Sequence, residues 1–166
     1  MLDHLWAGWR SEYVATADDV AQDGPACVFC RILGSGLPDE ETFVLWRGAH
    51  TFAILNAYPY TSGHLMVLPL RHVGELDELT DDEGDELFRA ARIATAAVKA
   101  AYEPGGFNLG ANLGRAGGAG VPGHLHVHVL PRWAGDTNFM TAVADTRVLP
   151  ESLGTTWKKL KEAWPA

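Results

Sequence analysis

Residues 124–130 read HLHVHVL, with imidazoles at 124, 126 and 128 and apolar residues between them. In an extended chain alternate side chains share a face. His124, His126 and His128 therefore line one face, and Leu125, Val127 and Val129 pack on the other. A row of imidazoles suits two chemistries. One is metal ligation. The other is nucleophilic attack on phosphorus, with a neighbouring imidazole holding or protonating the phosphate. The plainer reading is a half-exposed strand whose polar face happens to be histidine. It is the weaker one, because three of the chain's seven histidines stand in register directly after a glycine-rich loop, GRAGGAGVPG at 114–123. Glycines at 114, 117, 118 and 120 let backbone N–H groups come close to an anion. The loop lacks the GK[ST] of a P-loop and the GxGxxG of a dinucleotide fold. What remains is a phosphate site built from N–H groups and a histidine nucleophile.

The chain's two cysteines form a second cluster, CVFC at 27–30. In a reducing compartment this spacing points to metal or redox chemistry rather than a structural disulfide. No strong strand precedes it, which argues against a thioredoxin-like unit. By itself CxxC is half a zinc site, and needs two further ligands to converge on it.

The elements that must position these groups are legible in outline. Residues 3–14 predict a short aromatic-rich helix and 15–26 a loop. TFVLWR (42–47) and TFAILN (51–56) predict two strands joined by a turn at RGAH. The apolar run HLMVLPL (64–70) predicts a buried central strand, ended by Pro69. Thr80 to Glu83 is a capping box. The helix it opens carries Leu87, Ala91, Ala94, Val98 and Ala101 at helical spacing and should stop near Pro104-Gly105-Gly106. FNLGANL (107–113) predicts another strand, the histidines a further one over 124–130, and a last helix runs from after Pro150 through Trp157 and Leu160. This order fits an α+β domain with a mainly antiparallel sheet.

Composition bounds the function. The chain has 166 residues, 47% of them hydrophobic and 20% charged, enough for one domain with a core. No apolar run approaches the roughly 18 residues of a membrane span, and the N-terminus has no signal-peptide h-region. A cytoplasmic protein without a membrane partner is expected. The net charge of -8 argues against nucleic-acid binding, though not against a small anion in a local pocket.

With these residues in view, the sequence resembles the histidine triad (HIT) family. His124-Leu-His126-Val-His128-Val-Leu fits the pattern His-φ-His-φ-His-φ-φ without a gap. WAGWRSEYV, CVFC, FAILNAYPYTSGHLMVLPLRHV and HLHVHVLPRWAGDTNFM extend the likeness over nearly the whole chain, towards the bacterial diadenosine-polyphosphate branch. The resemblance implies one HIT domain: an N-terminal extension over 1–26, a core over 27–133, and a tail with a helix over 134–166. It implies an α+β fold whose sheet extends across a homodimer, with the tryptophans at 6, 9, 46, 133, 157 and 164 offering apolar area for an interface. It also implies cleavage at the α-phosphorus of a dinucleoside polyphosphate through a nucleotidyl-histidine, by hydrolysis or phosphorolysis.

Residue by residue, the resemblance makes His126 the nucleophile and places His128 on the phosphate or bridging oxygen. It puts Asn112 on the phosphate and Asn56 on the ribose hydroxyls, with Phe52 and Ile54 flanking the base. Gly118 and Gly120 belong to the phosphate loop, Arg132 meets the distal phosphates, and His64 orients its neighbours. In relatives carrying CxxC, a structural zinc is held by the equivalents of Cys27, Cys30, His72 and His124. One departure matters. Where many HIT hydrolases carry Gln-Ser before the triad, this chain has Gly120-Val121, and valine cannot donate a proton. That favours substrates with a good leaving group over phosphoramidates. Two other readings stay open at this point: a nucleotide-binding or interaction module without catalysis, and a zinc-dependent binding module.

Overall fold

The computed structural model describes residues 27–136 and 149–165. The expected helix at 3–14, the loop at 15–26, and Trp6 and Trp9 lie outside the described residues. The elements are α1 (Val28–Gly34), α2 (Asp39–Thr42), β1 (Val44–Arg47), β2 (Thr51–Leu55), β3 (Leu65–Pro69), a 3-10 turn at Leu76–Glu78, α3 (Asp81–Tyr102), β4 (Gly106–Ala111), β5 (Val127–Arg132) and α4 (Leu153–Ala163).

The five strands form one antiparallel sheet in the order β1-β2-β3-β5-β4. The central strands β2 and β3 are buried at every residue. Both faces of the sheet are therefore covered, and that is why these strands read as unbroken apolar runs. On one face Ala53, Leu55, Leu65, Val67 and Val129 pack against Leu87, Ala91, Ala94 and Val98 of α3 and Leu160 of α4. On the other, Val44, Phe52, Ile54, Met66 and Leu68 pack against Phe29 of α1 and Cys27, which caps it.

Helix α3 starts as its sequence dictates. Thr80 accepts from the Glu83 N–H, and the Glu83 carboxylate accepts from the Thr80 N–H. Arg71 adds a two-pronged ion pair to the same carboxylate. That holds Glu83 down at a pKa of about 2, through the Arg71 and Thr80 hydrogen bonds. The pair ties the chain leaving β3 to the start of α3. Helix α4 opens on Ser152, whose hydroxyl accepts from the Thr155 N–H.

The sheet's two edges differ. Along β1, the Trp157 indole N–H donates to the Val44 carbonyl at 2.9 Å and Lys161 Nζ to the Leu45 carbonyl at 2.9 Å. Trp46, Trp157 and Trp164 pack on the core, with Trp46 and Trp164 stacked at 6.4 Å. All three are partly buried against this core. By contrast, Leu109 of β4 and Leu113 just past its end are exposed at 49% and 42%.

Strand bounds moved slightly from expectation. β4 begins at Gly106 and ends at Ala111, and β5 runs Val127–Arg132 rather than 124–130. The reason is visible at the start of the triad. Leu125 donates its N–H to the Val73 carbonyl at 2.7 Å, pairing residues 124–125 with the chain after β3 rather than with the sheet.

Candidate active site

Register assembles the site. Ile54 lies beside Met66, Met66 beside His128, and His128 beside Gly110, one row across four strands. Continuing the same register by a step on either side gives two further rows. One runs Phe52, Leu68, His126, Asn112, and the other Asn56, His64, Leu130, Asn108. All share the face covered by α1. Gly110 presents no side chain beside His128, and a Cβ there would meet only open space. The triad therefore opens towards β4.

Each imidazole has its proton placed by a partner whose role is fixed. His126 Nδ1 lies 2.8 Å from the His124 carbonyl, which can only accept. Neutral His126 thus carries its proton on Nδ1 and a lone pair on Nε2. The Tyr60 N–H donates to His64 Nδ1 at 3.1 Å, so His64 carries its proton on Nε2. That atom is 3.0 Å from His128 Nδ1, which accepts. Neutral His128 is left with N–H at Nε2. Adjacent imidazoles, with ring centroids 5.1 Å apart, thus present opposite tautomers, a lone pair and a donor. Burial pushes the His126 imidazole below its ordinary range. Burial and the neighbouring His126 bring His128 to about 4. Both rings are neutral at neutral pH, as a nucleophile and a hydrogen-bond donor should be.

The third imidazole turns away. His124 is fully buried. Its Nε2–H donates to the Pro69 carbonyl at 2.9 Å, leaving the Nδ1 lone pair 3.4 Å from Cys27 Sγ and 3.7 Å from Cys30 Sγ. His72 Nδ1 is 3.4 Å from Cys30 Sγ. The four ligand atoms lie within 4.8 Å of one another. Tetrahedral zinc with Zn–S of about 2.3 Å and Zn–N of about 2.05 Å sets nitrogen and sulfur ligands roughly 3.6 Å apart. The three separations match that spacing, so Cys27, Cys30, His72 and His124 can hold zinc in a closed Cys₂His₂ site. Burial and Cys27 raise the Cys30 thiol, and a bound dication would favour the thiolates. The chain brings His72 here because Gly74 meets residues 122–123 so closely that a Cβ would sit 2.6 Å from the Pro122 carbonyl.

The remaining candidates divide. Asn112 Nδ2 donates to the Gly118 carbonyl at 3.2 Å and anchors the glycine-rich loop, where Gly118 takes φ 86°. Gly120 sits in the same loop, half-buried. Asn56 uses Oδ1 to accept the Tyr58 N–H at 2.9 Å, and its Nδ2 lies 3.4–3.5 Å from the His64 ring nitrogens. Phe52 and Ile54 are buried, and Phe52 lies edge-on to His124 at 6.5 Å. Arg132 stands four residues along β5 from His128, about 13 Å. It forks onto Asp136 at 2.6 and 2.8 Å and reaches Asn108 at 2.9 Å, so it does not join the histidines directly.

Two aromatic rings escaped the sequence reading. Phe29 of α1 lies 5.4 Å from His124 and 5.7 Å from His126. Tyr60 lies 4.8 Å from His64 and 6.4 Å from His128. Their place beside CxxC and in the AYPYTSG loop was the available signal.

Comparison with known proteins agrees with this arrangement. A HIT domain model matches residues 38–135. The chain belongs to the HIT family. It is 43% identical to the AP-4-A phosphorylase of Mycobacterium tuberculosis, over 98% of this chain and 85% of that one. Among solved structures it resembles a hypothetical histidine triad nucleotide-binding protein of Sulfolobus tokodaii (TM-score 0.68, 29% identity, 82% of this chain and 91% of that one). It also resembles a Zn-bound histidine triad family protein of Mycobacterium smegmatis (TM-score 0.67, 25% identity, 82% and 91%). The zinc named for the latter accords with the Cys₂His₂ cluster of this HIT domain.

Proposed function

We propose that this HIT protein cleaves diadenosine tetraphosphate at an α-phosphorus, passing AMP through His126 to inorganic phosphate. The observation that carries the reading is the pair of opposite tautomers at His126 and His128. His126 Nε2 attacks phosphorus and its Nδ1–H stays bonded to the His124 carbonyl, which stabilises the charge that forms on the ring. The P–O bond breaks and ATP leaves. A phosphate oxygen then attacks the nucleotidyl-histidine, the P–N bond breaks, and ADP leaves with His126 restored. His128 Nε2–H donates to a phosphate oxygen throughout, and backbone N–H groups of the glycine-rich loop held by Asn112 take up further charge. Asn56 keeps a second Oδ1 lone pair for a ribose hydroxyl. Ile54 and Phe52 back the same face, where the base would lie. Arg132 would meet the distal phosphates only by leaving its fork on Asp136.

Phosphate is favoured over water as acceptor by the 43% identity to a protein named AP-4-A phosphorylase. Incubation with diadenosine tetraphosphate tests it. ATP plus ADP, formed only with added phosphate, is expected, whereas AMP plus ATP regardless of phosphate would mean a hydrolase.

Zinc at Cys27, Cys30, His72 and His124 would be structural, holding the ring whose carbonyl orients the nucleophile. Its thiolate ligands suit a reducing, cytoplasmic location. The chain works as a homodimer joined through the β4 edge, since helix α4 covers the edge at β1. The division into an extension (1–26), a core (27–133) and a tail (134–166) follows from the same reading. Neither a membrane nor a nucleic acid is a partner. Among the described residues no helix is long and apolar enough to cross a membrane.

A further inference from the structure

The loop between β2 and β3 is short and heavily tied. Asn56 donates its N–H to the His64 carbonyl at 3.1 Å, closing the loop at its base. The Tyr58 N–H bonds Asn56 Oδ1, the Tyr60 N–H bonds His64 Nδ1, and the Thr61 hydroxyl donates to the Pro131 carbonyl at 3.0 Å. Pro59 fixes the backbone just before Tyr60. These bonds deliver the Tyr60 ring to one place, over two imidazoles. It is tilted 43° to His64 at 4.8 Å and nearly parallel, at 19°, to His128 at 6.4 Å. His64 and His128 are themselves 5.1 Å apart.

We propose that the Tyr60 ring is a positioning residue: lying over the His64–His128 pair, it holds His128 as a neutral imidazole that presents Nε2–H to the substrate phosphate. The proposal deepens the functional reading above and rests on its assignment of His128 as the phosphate-facing donor. Tyr60 supplies two things. Its backbone N–H sets the proton order through His64 to His128. Its ring screens the imidazole pair from water, which penalises the charged form.

Two influences of the ring oppose each other. Screening lowers the tendency of His128 to protonate, while attraction of an imidazolium to the ring face raises it. The site favours screening. His64 is 1% exposed, and burial is the larger cause of the low His128 titration, ahead of the repulsion a protonated His126 would exert. Among the described residues the titratable side chains facing His128 are His64 and His126, with Tyr60 over its ring. Its strand neighbours Met66 and Gly110 carry no charge.

Long-range ¹H–¹⁵N correlation spectra of the full-length protein report the tautomer and titration of each imidazole. In the wild type His128 should be the Nε2–H tautomer. In Tyr60→Ala, which keeps the backbone N–H and with it the tautomer, its pKa should rise by about one unit towards the ordinary imidazole value. Tyr60→Phe, which keeps the ring, should restore the wild-type titration. On diadenosine tetraphosphate, Tyr60→Ala should lose about tenfold in kcat with KM changed less than about twofold. An alanine variant whose His128 keeps its wild-type titration, or titrates lower, overturns the proposal. If the alanine variant does not fold, Tyr60→Leu takes its place. A smaller rise in the same direction supports the role and no rise overturns it. The spectra are taken on protein without nucleotide. A His128 shift in a chain that cleaves no dinucleotide would therefore uphold the positioning role and remove the substrate reading.

Discussion

At the scale of single residues, the chemistry rests on where three protons sit. The His124 carbonyl holds one on His126 Nδ1, the Pro69 carbonyl one on His124 Nε2, and the Tyr60–His64 chain one on His128 Nε2. A neutral His128 donates a hydrogen bond well but gives up a proton poorly. Val121 adds no donor. Among the described residues the site therefore lacks a strong acid for the leaving group, which ATP, departing as a phosphate anion, does not need. An amine leaving group does need one, and general acid catalysis is worth roughly 10² to 10⁴ in rate. An adenosine phosphoramidate should accordingly be cleaved at least about 100-fold more slowly than diadenosine tetraphosphate. Comparable kcat/KM values for the two would show that an unrecognised acid serves the site.

At the scale of elements, the metal cluster joins three segments: α1 through Cys27 and Cys30, the chain after β3 through His72, and the approach to β5 through His124. Losing the ion should loosen all three together. Freshly purified protein should carry about one zinc per chain, and chelation or Cys30→Ala should lower Tm by roughly 5 °C or more. Protein with well under one zinc, in which Cys30→Ala melts like the wild type, would make the cluster a set of ordinary buried thiols and imidazoles.

The same elements show what could be read from sequence. The buried strands β2 and β3 announce themselves as apolar runs, and α3 by its capping box and its Leu87–Ala91–Ala94–Val98 stripe. Two short helices did not. Val28–Gly34 shows too few turns for a period, and Asp39–Thr42 is four residues long. The start of β5 was misplaced for a related reason. Alternation puts His124 and His126 on the strand's face, but only the bond from Leu125 to Val73 shows the chain pairing elsewhere. Ligand types were legible at Cys27, Cys30 and the triad. The proton placements were not, because the Pro69 carbonyl and the Tyr60 N–H come from distant segments and leave no local pattern.

At the scale of the whole molecule, the described residues cover one edge of the sheet and leave the other open. Trp157 and Lys161 occupy carbonyls of β1, whereas β4 presents Leu109, with Leu113 exposed just beyond its end. An uncovered apolar edge strand invites another strand. Light scattering at micromolar concentration should give twice the chain mass, and Leu109→Lys should shift it towards the monomer. A wild-type monomer would contradict pairing through this edge.

The most direct test of the central claim is to trap the covalent intermediate. Diadenosine tetraphosphate is mixed with the protein in the absence of phosphate, quenched under denaturing conditions that preserve a P–N bond, and the chain is weighed and digested. The expected result is a chain heavier by one adenylyl group, carried on the peptide containing His126, discharged as ADP when phosphate is added before the quench, and missing in His126→Asn. ATP released without any adenylylated chain, or an adduct that persists in His126→Asn, would contradict it.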